Sequence, residues 1–227
     1  MHLRLSPLAS LLAIGCASGA SPSPQRAASP VTTASSSTSA PAEANLSARI
    51  THLKQSFSCT DVPSASTFVC TMKDGISGSL VRKRIEPVVT GTGTIFLRTV
   101  YRDRDWIYHD HVVVHVGDAV ISSDVLPASS PNVSRREVRR SGRDRNGNRD
   151  DYVDEMLSYR NGGDNGIIRS VAESGSSIVT MQLTGGPRSF EKTLSDDEKR
   201  LFAEAFELAR LLQASGGGRP LVDDNHP

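Results

Sequence analysis

Two groups of side chains in this 227-residue chain have types and spacings that could do chemistry. The first is His109-x-His111-x-x-x-His115. Imidazoles two residues apart on an extended strand point the same way and can offer two nitrogens to zinc or another transition metal. His115 lies about 13 Å beyond His111 by strand rise, too far to share that ion. A metal-dependent catalyst would need a third ligand from elsewhere, and Asp103, Asp105 and His52 are the candidates. The second group is SRREVRRSGRDRNGNRDD, residues 134–151, where seven Arg face Glu137, Asp144, Asp150 and Asp151. Clustered guanidiniums on a hairpin tip, Arg135, Arg136, Arg139, Arg140, Arg143 and Arg145, can pair bidentately with phosphates or carboxylates. Anionic lipid headgroups, polyanionic glycans or an acidic protein are the partners this chemistry suits.

The same stretch offers oxygen ligands at Asp144, Asn146, Asn148 and Asp150, with Glu155 at loop position twelve, the spacing of a short calcium loop. Position six is Arg149, where such a loop needs Gly, and the surrounding Arg repel a divalent cation. A solvated hairpin tip is the favoured reading. Nothing has the spacing of a nucleophile elbow or a phosphate-binding Gly-rich loop, and no cofactor is expected. A net charge of +1 argues against a nucleic-acid binder.

The elements that must position these groups read mainly as strands. Residues 94–101 (TIFLRTVY) and 106–116 are β-branched and aromatic, and the charged RDRD between them predicts an antiparallel hairpin. Alternation along the second strand places Trp106, Tyr108, Asp110, Val112, Val114 and Val116 toward the core. Ile107, His109, His111, Val113 and His115 are then expected on the wetter face. Residues 67–72 (TFVCTM) predict a strand, and 79–89 an edge strand because of Pro87. Residues 48–57 fit either a helix or a strand, and 122–133 read as a loop. Asn146-Gly147 predicts a hairpin between an Arg-bearing arm and residues 152–159. Residues 167–173 and 176–184 read as two more strands. Ser195-Asp196-Asp197-Glu198 is a capping box opening a helix with Leu201, Phe202, Ala205, Phe206, Leu208, Ala209 and Leu212 on one face.

The N-terminus carries Arg4, a short apolar stretch and Gly15-Cys16, the pattern of an export signal too short to span a bilayer as a helix. Leu12-Ala13-Ile14-Gly15-Cys16 resembles the lipobox of bacterial lipoproteins, which implies cleavage before Cys16, its acylation, and, with Ala17 following, the outer membrane. Ordinary cleavage after Ala20 is the alternative. Residues 17–46 are dominated by Ser, Ala, Thr and Pro and predict a disordered spacer. With Cys16 acylated or removed, Cys59 and Cys70 remain, an even pair that predicts a disulfide in an exported chain.

The expected organisation is a signal peptide and lipobox Cys over 1–16, the spacer over 17–46, one β-rich domain over 47–215, and a flexible tail over 216–227. The expected class is α+β: a mostly antiparallel sheet with the C-terminal helix packed on it. FLRTVYRDRDWIYHDHVVV, IIRSVAES and SFEKTLSDDEKRLFAEAFELARLL together resemble β-rich bacterial envelope domains with a closing helix, which implies an architecture and no activity. The favoured function is a non-enzymatic, membrane-tethered envelope lipoprotein that binds a partner. The alternative is a metal-dependent hydrolase using His109 and His111.

Overall fold

The computed structural model describes residues 40–65, 67–73, 82–138 and 151–216. All of them lie in one compact unit, Thr38–Pro227. Cys16, the export segment, most of the spacer and the tail beyond Gly216 lie outside the described residues.

The first helix, α1 (Ala40–Lys54), begins inside the stretch expected to be structureless and decides residues 48–54 in favour of helix. Strands β1 (Phe57–Val62) and β2 (Thr67–Met72) form a hairpin in which Cys59 and Cys70 stand directly opposite each other and are joined as a disulfide. Strands β3 (Arg82–Thr90) and β4 (Ile95–Asp103) form a second hairpin. Its turn contains Gly93 at φ 81°, close under the C-terminal helix. A Cβ there would lie 2.7 Å from the carbonyl oxygen of Ala209, so only glycine fits. Pro87 does not confine β3 to an edge: it has β4 on one side, and on the other β2 pairs only with Val89 and Thr90, past the proline.

The remaining strands are β5 (His111–Val116), β6 (Ala119–Ser122), β7 (Val133–Val138), β8 (Tyr152–Tyr159), β9 (Val179–Thr184) and β10 (Phe190–Thr193). They complete two antiparallel sheets, one ordered β1-β2-β3-β4-β8-β7 and the other β10-β9-β5-β6. The class is α+β, mostly antiparallel sheet with a C-terminal helix, as the sequence predicts. The core lies between the sheets, where Ile85, Leu97, Tyr101, Val153, Leu157 and Tyr159 meet Val112, Val114, Val179, Met181 and Leu183.

Three expectations are corrected. The hairpin over 94–116 does not form, because β4 pairs along its length with β8 while β5 belongs to the other sheet. The chain crosses between sheets at 104–110, where Tyr108 takes φ 54°. Ile107 and His109 face inward with Tyr108 outward between them, and the phase shifts before β5, where Val112 and Val114 are the inward residues and His111 is part-exposed. Residues 167–173 hold a short helix, α2 (Ile167–Ala172), not a strand. Its buried Ile167, Ile168 and Val171 recur at helical spacing, and Asp164 Oδ2 accepts from the Ile168 amide at 3.2 Å. The loop expected over 122–133 follows a strand, β6, that the sequence reading passed over, as it did β10.

Helix α3 (Asp196–Gly216) opens as the capping box requires: the Glu198 amide donates to Ser195 Oγ at 3.3 Å and the Ser195 amide to Glu198 Oε2 at 3.1 Å. Phe202, Ala205, Leu208, Ala209 and Leu212 are buried along it. They pack on α2, on α1 and on the β3–β4 hairpin, and a second apolar cluster joins them to Leu53, Phe57, Cys70 and Val89. An Arg49–Glu207 ion pair at 2.8 Å links α1 to α3.

The cysteines are 11 residues apart. Closing a loop of that size stabilises the folded state by about 3 kcal/mol. A Cys59→Ala/Cys70→Ala variant should lose at least that much in urea unfolding against the oxidised wild type.

Candidate functional site

The outer face of the six-stranded sheet carries a charged cleft of about 330 Å³. That is the small end of the range of about 300–1,000 Å³ typical of ligand sites. Strand register orders the side chains of this face as three rungs, whose residues all line the cleft except Arg84 and Ser158. The first is Arg82, Arg102, Asp154 and Arg136, side by side across β3, β4, β8 and β7. The second, two residues along, is Arg84, Val100, Met156 and Ser134. The third is Glu86, Arg98 and Ser158. All point to the same face because every second residue of a strand does.

Asp154 bridges two guanidiniums, Arg102 with Nη2 at 3.0 Å and Arg136 with Nη2 at 2.9 Å. Burial pushes its carboxyl up, but the hydrogen bonds from Arg102 and Arg136 outweigh this and hold it below the ordinary aspartate value. The fully buried Glu86 accepts from Arg98 Nη2 at 2.6 Å and lies 3.1 Å from Arg84 Nη2. Arg82 is pushed below the ordinary arginine value, by burial first and then by the neighbouring Arg84 charge; Glu86 opposes this, while Arg102 and Arg98 add to it. A guanidinium crowded by three others marks an electropositive surface.

The inner face of the same strands holds a second polar group. Glu155 is fully buried. Its Oε1 accepts from the amides of Ile107 and Tyr108 at 2.8 and 3.0 Å, and its Oε2 from Arg135 Nε at 3.2 Å. His109 Nδ1 lies 3.4 Å from the same Oε2, and His109 Nε2 is 2.8 Å from Thr99 Oγ1. Thr99, His109 and Glu155 have the order of a nucleophile, a base and its orienting acid. All three are fully buried, so solvent has no path to the hydroxyl and the group is structural.

The predicted sites fare unevenly. His109 and His111 do not share a wet face: His109 is enclosed in the core, and the part-exposed His111 pairs through Nδ1 with Asp110 Oδ1 at 2.5 Å. The candidate third ligands are engaged or distant in role: Asp103 pairs with Lys83, Asp105 with Arg188, and His52 sits exposed on α1. Among the described residues no group of three or more His, Cys, Asp or Glu could hold a metal ion. Glu155, the twelfth position of the calcium-like loop, is consumed by the buried network; Asp144, Asn146, Asn148 and Asp150 lie outside the described residues. The arginine cluster is divided. Arg135 points inward to Glu155 and to the His109 carbonyl oxygen, 2.5 Å away, while Arg136 points outward into the cleft. Arg139, Arg140, Arg143 and Arg145 lie outside the described residues.

Sequence reasoning missed Arg82, Arg84, Arg98 and Arg102. Their signal is alternation, Arg-x-Arg-x-Glu over 82–86 and Arg-x-Val-x-Arg over 98–102, which puts like residues on one face of paired strands. No family model, curated protein or solved structure matches this chain.

Burial raises the Glu155 carboxyl, yet the His109 bond and the Ile107 and Tyr108 amides hold it below the ordinary glutamate value. Its stabilising contribution is therefore complete above about pH 4.3 and is lost as pH falls through the lower, folded value. Glu155→Gln should cost about 3–5 kcal/mol at neutral pH by leaving Arg135 unpaired. Urea midpoints should fall less steeply in this variant than in wild type between about pH 5 and pH 3.

Proposed function

We propose that this protein is a non-enzymatic, membrane-tethered envelope lipoprotein whose folded domain binds an anionic partner in the outer-face cleft. The observation that carries this is the charge of that face. Five guanidiniums, Arg82, Arg84, Arg98, Arg102 and Arg136, stand there against two carboxylates, Glu86 and Asp154. This local formal excess of three belongs to a chain whose whole net charge is +1. The positive charge is concentrated where two strand hairpins lie side by side. Guanidinium forks suit planar or tetrahedral oxyanions, and strands hold them with little loss of freedom on binding.

Export and tethering rest on the lipobox-like residues 12–16, and the Cys59–Cys70 disulfide supports an oxidising compartment. Cys16 is the acylation site, and the Ser/Ala/Pro/Thr-rich residues after it let the domain reach away from the bilayer. No helix among the described residues is long and apolar enough to cross a membrane.

Two measurements test the two halves. Labelled palmitate should enter the wild-type chain and not Cys16→Ala; equal labelling, or none in either, removes the tether. Full-length protein should be retained on immobilised heparin and released by salt. Arg136→Glu, which reverses an exposed charge, should weaken that retention at least about tenfold in protein that circular dichroism shows to be still folded at the assay temperature. Undiminished retention would show that this face is not the anion site.

A further inference from the structure

We infer that the cleft takes a monomeric single-chain phosphate amphiphile, with the phosphate at the Arg82–Arg102–Arg136 rung and the hydrocarbon lying along Val100 and Met156. This rests on the anion-binding proposal and names a ligand class for the same cleft.

The three rungs differ in polarity in a way that a simple anion site does not require. The first carries three guanidiniums and one carboxylate, a formal +2. The third pairs Glu86 with Arg98 and is neutral. Between them lie Val100 and Met156, apolar neighbours across β4 and β8, while Arg84 of the same rung is outside the cleft lining and turns to the Met72 carbonyl oxygen and Glu86. Met156 is one of the few large apolar side chains among the described residues that is exposed, at 38 %. It sits amid arginines, where an exposed thioether gains nothing from water. Its flexible, polarizable chain suits an apolar ligand of loose shape. Ser134 beside it is small and leaves that edge of the rung open.

Phosphate fits the first rung better than a carboxylate. Arg102 and Arg136 turn their Nε–Nη2 edges to Asp154, and their Nη1 donors, with Arg82 from a third strand, can address three oxygens of a tetrahedral dianion, whereas a carboxylate has two. The distance from the first rung to the third is about 13 Å along the strand, room for a phosphate and several methylenes. The cleft of about 330 Å³ fits a head group and a short chain, not a two-chain lipid.

Calorimetric titration of the full-length protein with inorganic phosphate and with ethyl, butyl and hexyl phosphate tests this. Each methylene buried should tighten binding about fourfold, so hexyl phosphate should bind more than ten times as tightly as ethyl phosphate. Met156→Gln should remove that gain and leave inorganic phosphate binding unchanged. Uncharged hexyl glucoside should not bind. Equal affinities along the series, or a gain that survives in Met156→Gln, would overturn the amphiphile and leave the anion site standing. Binding only to phosphatidic acid vesicles would overturn the monomeric ligand. No phosphate binding together with heparin retention indifferent to Arg136→Glu would remove both proposals.

Discussion

The Glu155 carboxylate is fully buried between the two sheets and collects the amides of Ile107 and Tyr108, the guanidinium of Arg135 and the ring of His109. Taking a carboxylate out of water costs several kcal/mol, and only a full set of donors offsets it. Here the donors come from the crossover at 104–110 and from β7, while the acceptor comes from β8. One side chain thereby holds the six-stranded sheet to the start of the four-stranded one. The crossover has no ladder partner of its own for those two amides, so the carboxylate stands in for a strand. Tyr108, in a left-handed conformation that costs a bulky residue about 1–3 kcal/mol, is held between those contacts. Gly186 packs beneath: a Cβ there would lie 1.9 Å from the Ile107 carbonyl oxygen.

The register of β7 on β8 sets two ion pairs at once. Arg135 stands opposite Glu155 and Arg136 opposite Asp154. The first pair faces the core and the second faces the cleft, because neighbouring residues on a strand point to opposite faces. A slip of β7 by one residue would exchange the faces of Arg135 and Arg136 and offset both pairings, while Asp154 and Glu155 stay where the β4–β8 ladder holds them. The buried network therefore specifies where the outward-facing arginines stand, although it never touches a ligand. It also explains why a run of arginines in the sequence is not one site. Two adjacent members serve opposite faces of one strand.

The ion pairs of the cleft rest on two carboxylates taken out of water, Glu86 and Asp154. Removing a carboxylate as buried as Glu86 would leave Arg98 and Arg84 uncompensated at a cost of several kcal/mol, whereas Arg136, its side chain 66 % exposed, contributes under about 1 kcal/mol. Asp154 and Glu86 each hold two guanidiniums, Arg102 and Arg136 on the first and Arg98 and Arg84 on the second. The rest of the stability comes from the apolar layer between the sheets, the helices packed on it, and the disulfide across β1 and β2.

Where local chemistry decides the outcome, the residues alone were enough. The β2 strand, the capping box of α3 with its buried face, the arms of the β7–β8 hairpin, the Cys59–Cys70 pairing and the α+β class all follow from caps, alternation, turn residues and cysteine count. Each of these is an interaction between residues near in sequence, or a pairing with one candidate partner. What the residues alone could not decide depended on a distant partner. Residues 94–116 carry every mark of a hairpin, yet β4 finds a longer partner in β8, about fifty residues on, and the crossover is held by Glu155 from that same strand. Residues 167–172 are β-branched enough for a strand, yet their spacing buries a helical face against α3. The three histidines were legible as a group, but the shift of phase between His109 and the start of β5 separates His109 from the others. The cleft was the least legible feature, since its arginines lie on β3, β4 and β7 and meet only after the strands have chosen their order. Side-chain type, cap and alternation are written along the chain; which strands stand side by side is settled by long-range burial and by one desolvated carboxylate.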